Sequence, residues 1–334
     1  MKRIGILTYW GVPNYGAWVQ AYALNRLLTD MYPEYEVKHI AYLEQSHWDS
    51  YYKNDEKGLN NFLYNWDLIP HVSFDSIEEM ENAEFDVLIT AADSIWEEAV
   101  NGVFNHDWHL IGKGFKKGKK IISYAPSAGT YADVKEINHE IIAGLKKYNA
   151  ISVRDESTQR FVKRVIGIKP ELVVDPALLW NFKSDLNIKK PVYRDYIAVY
   201  GAQWSPEFIS NVKALAKEKN LKLISIGFIN DWCDVNFRRN ELRTLEWIGM
   251  IANSDIVVTS TFHGLMLGIS YRKQIKFCQV NYVKNRSNTL IEDLRISNAN
   301  ISFGASIDYD NYADEKLKRL REKSLIFIKG ALYR

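Results

Sequence analysis

The sequence predicts two doubly wound α/β domains facing across a cleft, and three observations carry that expectation. Short β-branched runs alternate with helical segments along most of the chain. The alternation stops at a polar stretch, Asn181–Asp195, and restarts beyond it. At 334 residues the chain is also too long for one compact core of ordinary size. Repeated strand–helix alternation argues for mostly parallel sheets with helices on both faces, and such sheets bind ligands beyond the carboxyl ends of their strands.

Arg3–Tyr9 reads as the first strand, followed by the loop Trp10-Gly11-Val12-Pro13-Asn14-Tyr15-Gly16. A helix over Ala17–Asp30 then places Val19, Ala23, Leu24, Leu27 and Leu28 on one face. Further strands are expected at Glu36–Ala41, Asp86–Thr90, Lys120–Tyr124, Ala150–Val153 and Glu171–Val174, with helices at Lys135–Lys147 and Glu156–Val165. Asp175-Pro176 closes this half. The second half reads as strand Tyr196–Tyr200, helix Pro206–Lys219, strand Lys222–Gly227, helix Thr244–Ala252, strand Asp255–Thr259, helix Phe262–Ile269 and strand Gln274–Cys278. From Tyr312 onward, Leu317, Leu320, Phe327, Ile328 and Leu332 recur at helical spacing. The expected organisation is an N-terminal domain over residues 1–185, a smaller C-terminal domain over 186–311, and a helix over 312–334 that packs back on the first domain. Tyr42–Phe74 breaks the rhythm with aromatics among polar residues, and reads as a small helical flap packing its aromatics inward or as a lid that touches sugar.

With 47% hydrophobic and 25% charged residues, the chain is a soluble globular protein by composition. A net charge of +2 makes no electrostatic case for nucleic acid. Cys233 and Cys278 are the only cysteines and have no ligand-like spacing, which argues against a disulfide framework or structural zinc and for a reducing compartment. No apolar run approaches the ~20 residues that span a bilayer, and Thr8, Pro13 and Asn14 interrupt the first one before a signal-peptide core forms. A cytoplasmic location follows as the expectation. His106 and His109 have no third ligand nearby and read as a surface helix, while Lys113, Lys116, Lys117, Lys119 and Lys120 read as a solvated loop, attraction to anionic lipid being the minor alternative.

Several loops fall at the strand ends. Ser260-Thr261-Phe262-His263-Gly264 follows a β-branched run and opens an apolar helix, so His263 stands in the first helical turn. Unpaired backbone N–H groups and the positive end of the helix dipole favour anions there, and a histidine can bind one or move a proton. The same pattern also describes a capped helix whose histidine packs at a domain edge. Asn14-Tyr15-Gly16 offers close backbone approach to a ligand but is no dinucleotide fingerprint. Asp93 stands beside Trp96, Ser127 follows the fourth strand, and Arg154 stands where strand becomes helix. A guanidinium there suits a carboxylate or phosphate, although the ordinary partner of a lone arginine is a neighbouring Asp or Glu.

Taken in order, these loops resemble the polysaccharide pyruvyl transferases over nearly the whole chain. The matching residues are Ile4–Tyr9, Asn14–Ala17, Gln20–Leu24, Asp93–Trp96, Ser123–Ala125 through Gly129, Ser152–Asp155, Val174–Leu179 and Ser260–Gly264. One loop departs: the family usually has glycine, serine, aspartate and glutamine before the tryptophan, where this chain has Ala91-Ala92-Asp93-Ser94-Ile95-Trp96. The resemblance implies two Rossmann-like domains similar to the GT-B glycosyltransferases, with phosphoenolpyruvate as donor and a sugar diol as acceptor. It implies that Arg154 and His263 bind the donor, with Ser260, Thr261, Gly264 and Ser127 beside them. Asn14, Tyr15, Gly16 and Trp96 are then assigned to the acceptor, and His263, Arg154 and Asp93 to catalysis. No metal and no cofactor are implied beyond phosphoenolpyruvate as co-substrate. The implied partner is a nucleotide- or lipid-linked saccharide, in cell-surface polysaccharide biosynthesis at the cytoplasmic face of the membrane. Two alternatives share the architecture: a glycosyltransferase using a nucleotide sugar, and a saccharide-binding member without catalysis.

Overall fold

A computed structural model describes residues 1–97, 120–133, 139–278, 280–295 and 309–333. The chain divides into two compact units. The first comprises Met1–Val12, Gln20–Trp180 and Arg319–Arg334, and the second Pro13–Val19 and Asn181–Lys318. His106, His109 and Lys113, Lys116, Lys117 and Lys119 lie outside the described residues.

The elements of the first half run β1 (Lys2–Leu7), α1 (Tyr15–Met31), β2 (Tyr35–Ala41), α2 (Gln45–Tyr51), a 3-10 helix (Leu59–Leu68), β3 (His71–Ser73), α3 (Ile77–Asn82) and β4 (Val87–Ala91). They continue through β5 (Lys120–Tyr124), a 3-10 turn (Gly129–Asp133), α4 (His139–Leu145), β6 (Ala150–Val153), α5 (Glu156–Ile166), β7 (Glu171–Leu172) and α6 (Pro176–Leu179). The seven-stranded sheet has the order β3-β2-β1-β4-β5-β6-β7. All its pairings are parallel, with Ile4 opposite Val37 on one side and Val87 on the other. β4 is buried along its whole length, as a parallel strand covered by helices on both faces must be. Local chemistry sets the helix ends. The Asp155 carboxylate caps α5 by accepting from the Thr158 N–H at 2.7 Å, and Gly167, at φ +75°, ends it.

In the second half, β8 (Tyr196–Tyr200), α7 (Pro206–Lys219), β9 (Lys222–Ile226), β10 (Val235–Phe237), α8 (Thr244–Asn253), β11 (Ile256–Thr259), α9 (Phe262–Ser270), β12 (Gln274–Phe277) and α10 (Asn281–Asp293) follow in turn. A five-stranded parallel sheet of order β10-β9-β8-β11-β12 forms the second unit's centre. Ser205 caps α7 with Pro206 in the first turn, and Asn220 ends the helix at φ +52°. The final helix, α11 (Asn311–Tyr333), buries Leu317, Ile328 and Leu332, and its Ser324 hydroxyl accepts from the Val174 N–H at 2.9 Å.

Three local expectations change. The strand at Glu171–Val174 ends at Leu172, because the Val174 N–H turns to Ser324 instead of a neighbouring strand. The polar stretch Asn181–Asp195 is not structureless: it carries a 3-10 turn with Phe182 buried, and its Lys189 carbonyl packs so close to Gly249 that a side chain there would collide. The edge strands β3 and β10 are too short to show periodicity and went unforeseen. In the Tyr42–Phe74 stretch some aromatics pack inward, while Trp48 and Tyr64 stay exposed. Tyr52, Phe62 and Trp66 are buried, the Tyr52 hydroxyl donates to the Gly11 carbonyl at 2.6 Å, and the Trp66 indole donates to the Val12 carbonyl at 3.1 Å.

Beneath that flap, His39 of β2 is fully buried, with Nε2 donating to the Ala21 carbonyl at 3.1 Å and Trp10 packed on the ring. Burial pushes its pKa down from 6.5 to about 3, so the ring folds neutral. Between those two values the unfolded chain binds a proton that the folded chain does not. Stability therefore falls on acidification through this window, by up to about 1.4 kcal/mol per pH unit. Denaturant unfolding of His39→Gln against the parent protein between pH 6.5 and pH 4 is expected to show a shallower acid dependence in the variant. Equal slopes would contradict the assignment.

Candidate functional site

In the second unit the site grows from the end of β11. Thr259 pairs with Tyr200 of β8, and its hydroxyl donates to the Tyr200 carbonyl at 2.7 Å. The same oxygen accepts from the Thr261 N–H at 3.1 Å and lies 3.0 Å from the Thr261 hydroxyl. Thr261 then caps α9, accepting from the Gly264 N–H at 3.1 Å. Gly264 is required for this closeness, since a Cβ there would run into the Thr259 and Thr261 hydroxyls. Ser260 is fully buried, its hydroxyl donating to the Ala202 carbonyl at 2.9 Å and accepting from the Ala202 N–H at 3.1 Å. The side chains of Ser260 and Thr261 thus build the turn, and what they present is backbone.

His263 stands in the first turn of α9, only 7% exposed. Its ring is edge-on to Phe262 at 5.2 Å and lies directly against Gly16. A Cβ on Gly16 would strike the imidazole Nδ1 and come within 3.0 Å of Cγ. Gly16 belongs to the first turn of α1, which Asn14 caps by accepting from the Gly16 N–H at 2.8 Å and the Ala17 N–H at 3.4 Å. Two helix starts therefore meet at one imidazole, a setting in which aligned backbone dipoles favour an anion and a histidine can exchange a proton with it.

Asn14, Tyr15 and Gly16 lie within the span 1–185 expected for the N-terminal domain, yet in the structure they group with the second unit. Residues Pro13–Val19 belong with the second unit. The physical reason is Tyr15, which stacks on Trp247 at 4.8 Å with ring planes 2° apart. Gly227, at φ +95°, makes room for the Tyr15 ring, since a Cβ there would come within 3.0 Å of it, and the Tyr15 hydroxyl lies 2.6 Å from the carbonyls of Arg239 and Leu242. Tyr15 is 1% exposed, so it anchors the helix start and offers no surface to a ligand.

In the first unit the loops after β4, β5 and β6 converge. Arg154 is buried, with Nη1 2.9 Å from the Asp175 carboxylate and Nη2 3.6 Å from Asp93 and 3.5 Å from the Ser94 hydroxyl. Asp175 itself caps α6 through the Ala177 N–H at 3.0 Å. The guanidinium is thus matched by carboxylates of its own unit, the ordinary arrangement for a buried arginine, and Asp175 is the partner that sequence reading passed over. An acidic residue at the end of another strand-like segment was the available signal. Asp93 keeps part of its carboxylate exposed, and Ala92 and Asp93 take left-handed backbone angles of φ +39° and +54°. The loop that lacks the family's glycine therefore still adopts a glycine-like path.

Ser127 and Trp96 turn out to be internal. The Ser127 N–H donates to the Asp93 carbonyl at 2.8 Å, its carbonyl accepts from the Trp96 N–H at 3.2 Å, and its hydroxyl accepts from the Gly129 N–H at 3.1 Å. Ser127 is fully buried and links the two loops. Trp96 is 1% exposed, packed with Ile95, Ala128, Val153 and Phe161 and edge-on to Tyr148 at 5.7 Å. Burial in this core removes it from any acceptor surface. Among the described residues no group of His, Cys, Asp or Glu is arranged to hold a metal ion, and no helix is long and apolar enough to cross a membrane.

Solved structures share this architecture. UDP-GlcNAc 2-epimerase from Neisseria meningitidis bound to UDP-GlcNAc aligns with a TM-score of 0.56 at 10% identity, covering 100% of both chains. UDP-GlcNAc 2-epimerase from Methanocaldococcus jannaschii aligns with a TM-score of 0.54 at 12% identity, covering 96% of this chain and 92% of that one. S. aureus MnaA in complex with UDP aligns with a TM-score of 0.51 at 12% identity, covering 98% of each. At such identities the likeness establishes the GT-B-like fold alone. No curated protein matches the chain in sequence. The family of polysaccharide pyruvyl transferases matches residues 14–275, a span that holds Asn14 to Gly16, Asp93, Arg154, Asp175 and the His263 turn, and the chain belongs to that family.

Proposed function

We propose that this protein transfers the pyruvyl group of phosphoenolpyruvate to a sugar diol, forming a pyruvate ketal and releasing phosphate. The observation that carries this reading is the imidazole of His263 set between two helix starts, at the capped turn Thr259–Gly264. Phosphoenolpyruvate bears a carboxylate and a phosphate, and such a turn offers backbone donors to one of them and a proton carrier beside it. A saccharide carried on a nucleotide or lipid, at the cytoplasmic face of a membrane, is the acceptor this reading expects. It needs no cofactor.

The chemistry balances without a redox partner. Protonation of the enol methylene carbon makes C3 a methyl group and leaves an oxocarbenium-like centre at C2. One acceptor hydroxyl adds at C2, the C2–O bond to phosphate breaks, and the second hydroxyl closes the ketal. The acceptor gives up two hydroxyl protons: one balances the hydrogen gained at C3, and the other leaves with phosphate. His263 is assigned to protonation or to assisting phosphate departure. Asp93, partly exposed and held by Arg154, is assigned to orienting or deprotonating the acceptor hydroxyl. Arg154 enters as the charge that fixes Asp93 and Asp175.

A nucleotide-sugar glycosyltransferase is the second reading, favoured by the UDP and UDP-GlcNAc complexes among proteins of like fold. Thermal-shift titration separates the two, because the ligand bound by the folded protein raises its melting temperature. Phosphoenolpyruvate is expected to do so, and UDP- and GDP-sugars are not.

With a panel of saccharide acceptors, the purified protein is expected to release phosphate from phosphoenolpyruvate; no release with any acceptor, together with stabilisation by a nucleotide sugar, would overturn the proposal. His263→Gln should lower that rate by about 10²-fold or more with little change in melting temperature, as for loss of one general acid–base group. Gly16→Ala should cut kcat by pushing the imidazole aside, and an unchanged kcat would show that the ring's position against α1 has no part in turnover. Arg154→Ala strands the buried Asp175 carboxylate, so it is expected to destabilise the fold by about 3–5 kcal/mol in denaturant unfolding. Arg154→Lys, which keeps the charge, should lose much less.

A further inference from the structure

One side chain at the end of β8 has no part in the site as described so far. Gln203 is exposed and sits at φ +64°, a left-handed conformation that disfavours any residue with a Cβ. Such strain persists where the surroundings over-determine it, and it concentrates at ligand-binding positions. The surroundings here do so from three directions. Ser260 grips both the N–H and the carbonyl of Ala202. The Asn230 side chain donates to the Gly201 carbonyl at 3.1 Å, and the Trp204 indole donates to Asn230 Oδ1 at 2.9 Å. Gly201, at φ +148°, leaves no room for a side chain against Ser260.

Every one of these holds acts on a neighbour of Gln203. Among the described residues the Gln203 carboxamide has no hydrogen-bond partner. The turn is therefore fixed while its one amide is left presented. Its location strengthens the point. In the sheet order β10-β9-β8-β11-β12, the chain runs outward from β8 through β9 to β10, then returns to lay β11 on the other side of β8. Ligands of open α/β sheets bind at such a reversal, beyond the carboxyl ends of the two strands. Gln203 follows one of those ends, and Ser260, which leads to His263, follows the other.

We propose that the Gln203 carboxamide donates a hydrogen bond to an anionic oxygen, carboxylate or phosphate, of the donor bound at the His263 turn. This inference rests on the reading of that turn as the phosphoenolpyruvate site. It makes Gln203 a donor-affinity residue whose backbone strain is retained for the sake of the contact.

The test is a calorimetric titration of phosphoenolpyruvate into the parent protein and into Gln203→Gly and Gln203→Glu, with thermal unfolding of all three. Gln203→Gly keeps the left-handed turn and relieves its strain, so its melting temperature should be equal or higher while phosphoenolpyruvate affinity falls about tenfold. Gln203→Glu, of the same size and opposed in charge to the ligand, should bind more weakly still. Parent-like affinity in both variants overturns the role of Gln203 and leaves the pyruvyl-transfer reading standing. A parent protein that does not bind phosphoenolpyruvate overturns that reading and this inference together. Reduced affinity in Gln203→Gly with parent-like affinity in Gln203→Glu also overturns it, since an anion contact cannot tolerate the added charge.

Discussion

Every strand pairing in both sheets is parallel, and the rest of the structure follows from that constraint. Parallel neighbours cannot be joined by tight turns, so each connection must cross over a face of the sheet, usually as a helix. The faces are then covered, and the central strands become buried throughout, as β4 and β8 are. All carboxyl ends fall along one edge of each sheet. The loops there are the segments of the fold free to carry polar chemistry, and the recognisable motifs of this chain begin at those ends.

Those loops are not relaxed. Left-handed non-glycine residues follow β4 at Ala92 and Asp93, β5 at Ala125 and β8 at Gln203. Each sits where the chain must turn from a strand into a crossover in very few residues. Buried serines hold the turns closed: Ser127 ties the β4 and β5 loops through its backbone, while the hydroxyls of Ser152 and Ser123 exchange hydrogen bonds across β5 and β6 and that of Ser260 clamps Ala202. A hydroxyl can donate and accept at once, so a single serine satisfies two backbone groups that no strand ladder reaches. Serine and threonine residues in the motifs are thus largely architectural.

Arg154 illustrates how burial changes the meaning of a residue. In a sequence it is a cation at a strand end, suited to any oxyanion. In the structure its guanidinium is matched by Asp175 and Asp93 in a dry environment, where removing one partner would strand the other charges. Tyr15 and Trp96 change in the same way. Both occur in motif loops and both are aromatic, yet stacking on Trp247 and packing beside Phe161 enclose them in cores.

The sequence by itself determined the architecture of this protein. β-branched runs, periodic helix faces and caps such as Asp155, Ser205 and Thr261 are local signals, and they place most long elements within a residue or two, though α10 was not anticipated. The ordered motifs also identified the family. Only the tertiary structure decided which motif faces which. Gly16 and His263 are remote in the chain, and the pairing of Arg154 with Asp175 spans two separate loops, so no periodicity or spacing could announce either. Such contacts arise from the packing of Tyr15 on Trp247 and from charge neutralisation in a buried loop cluster. Both forces act between segments that the chain brings together only on folding.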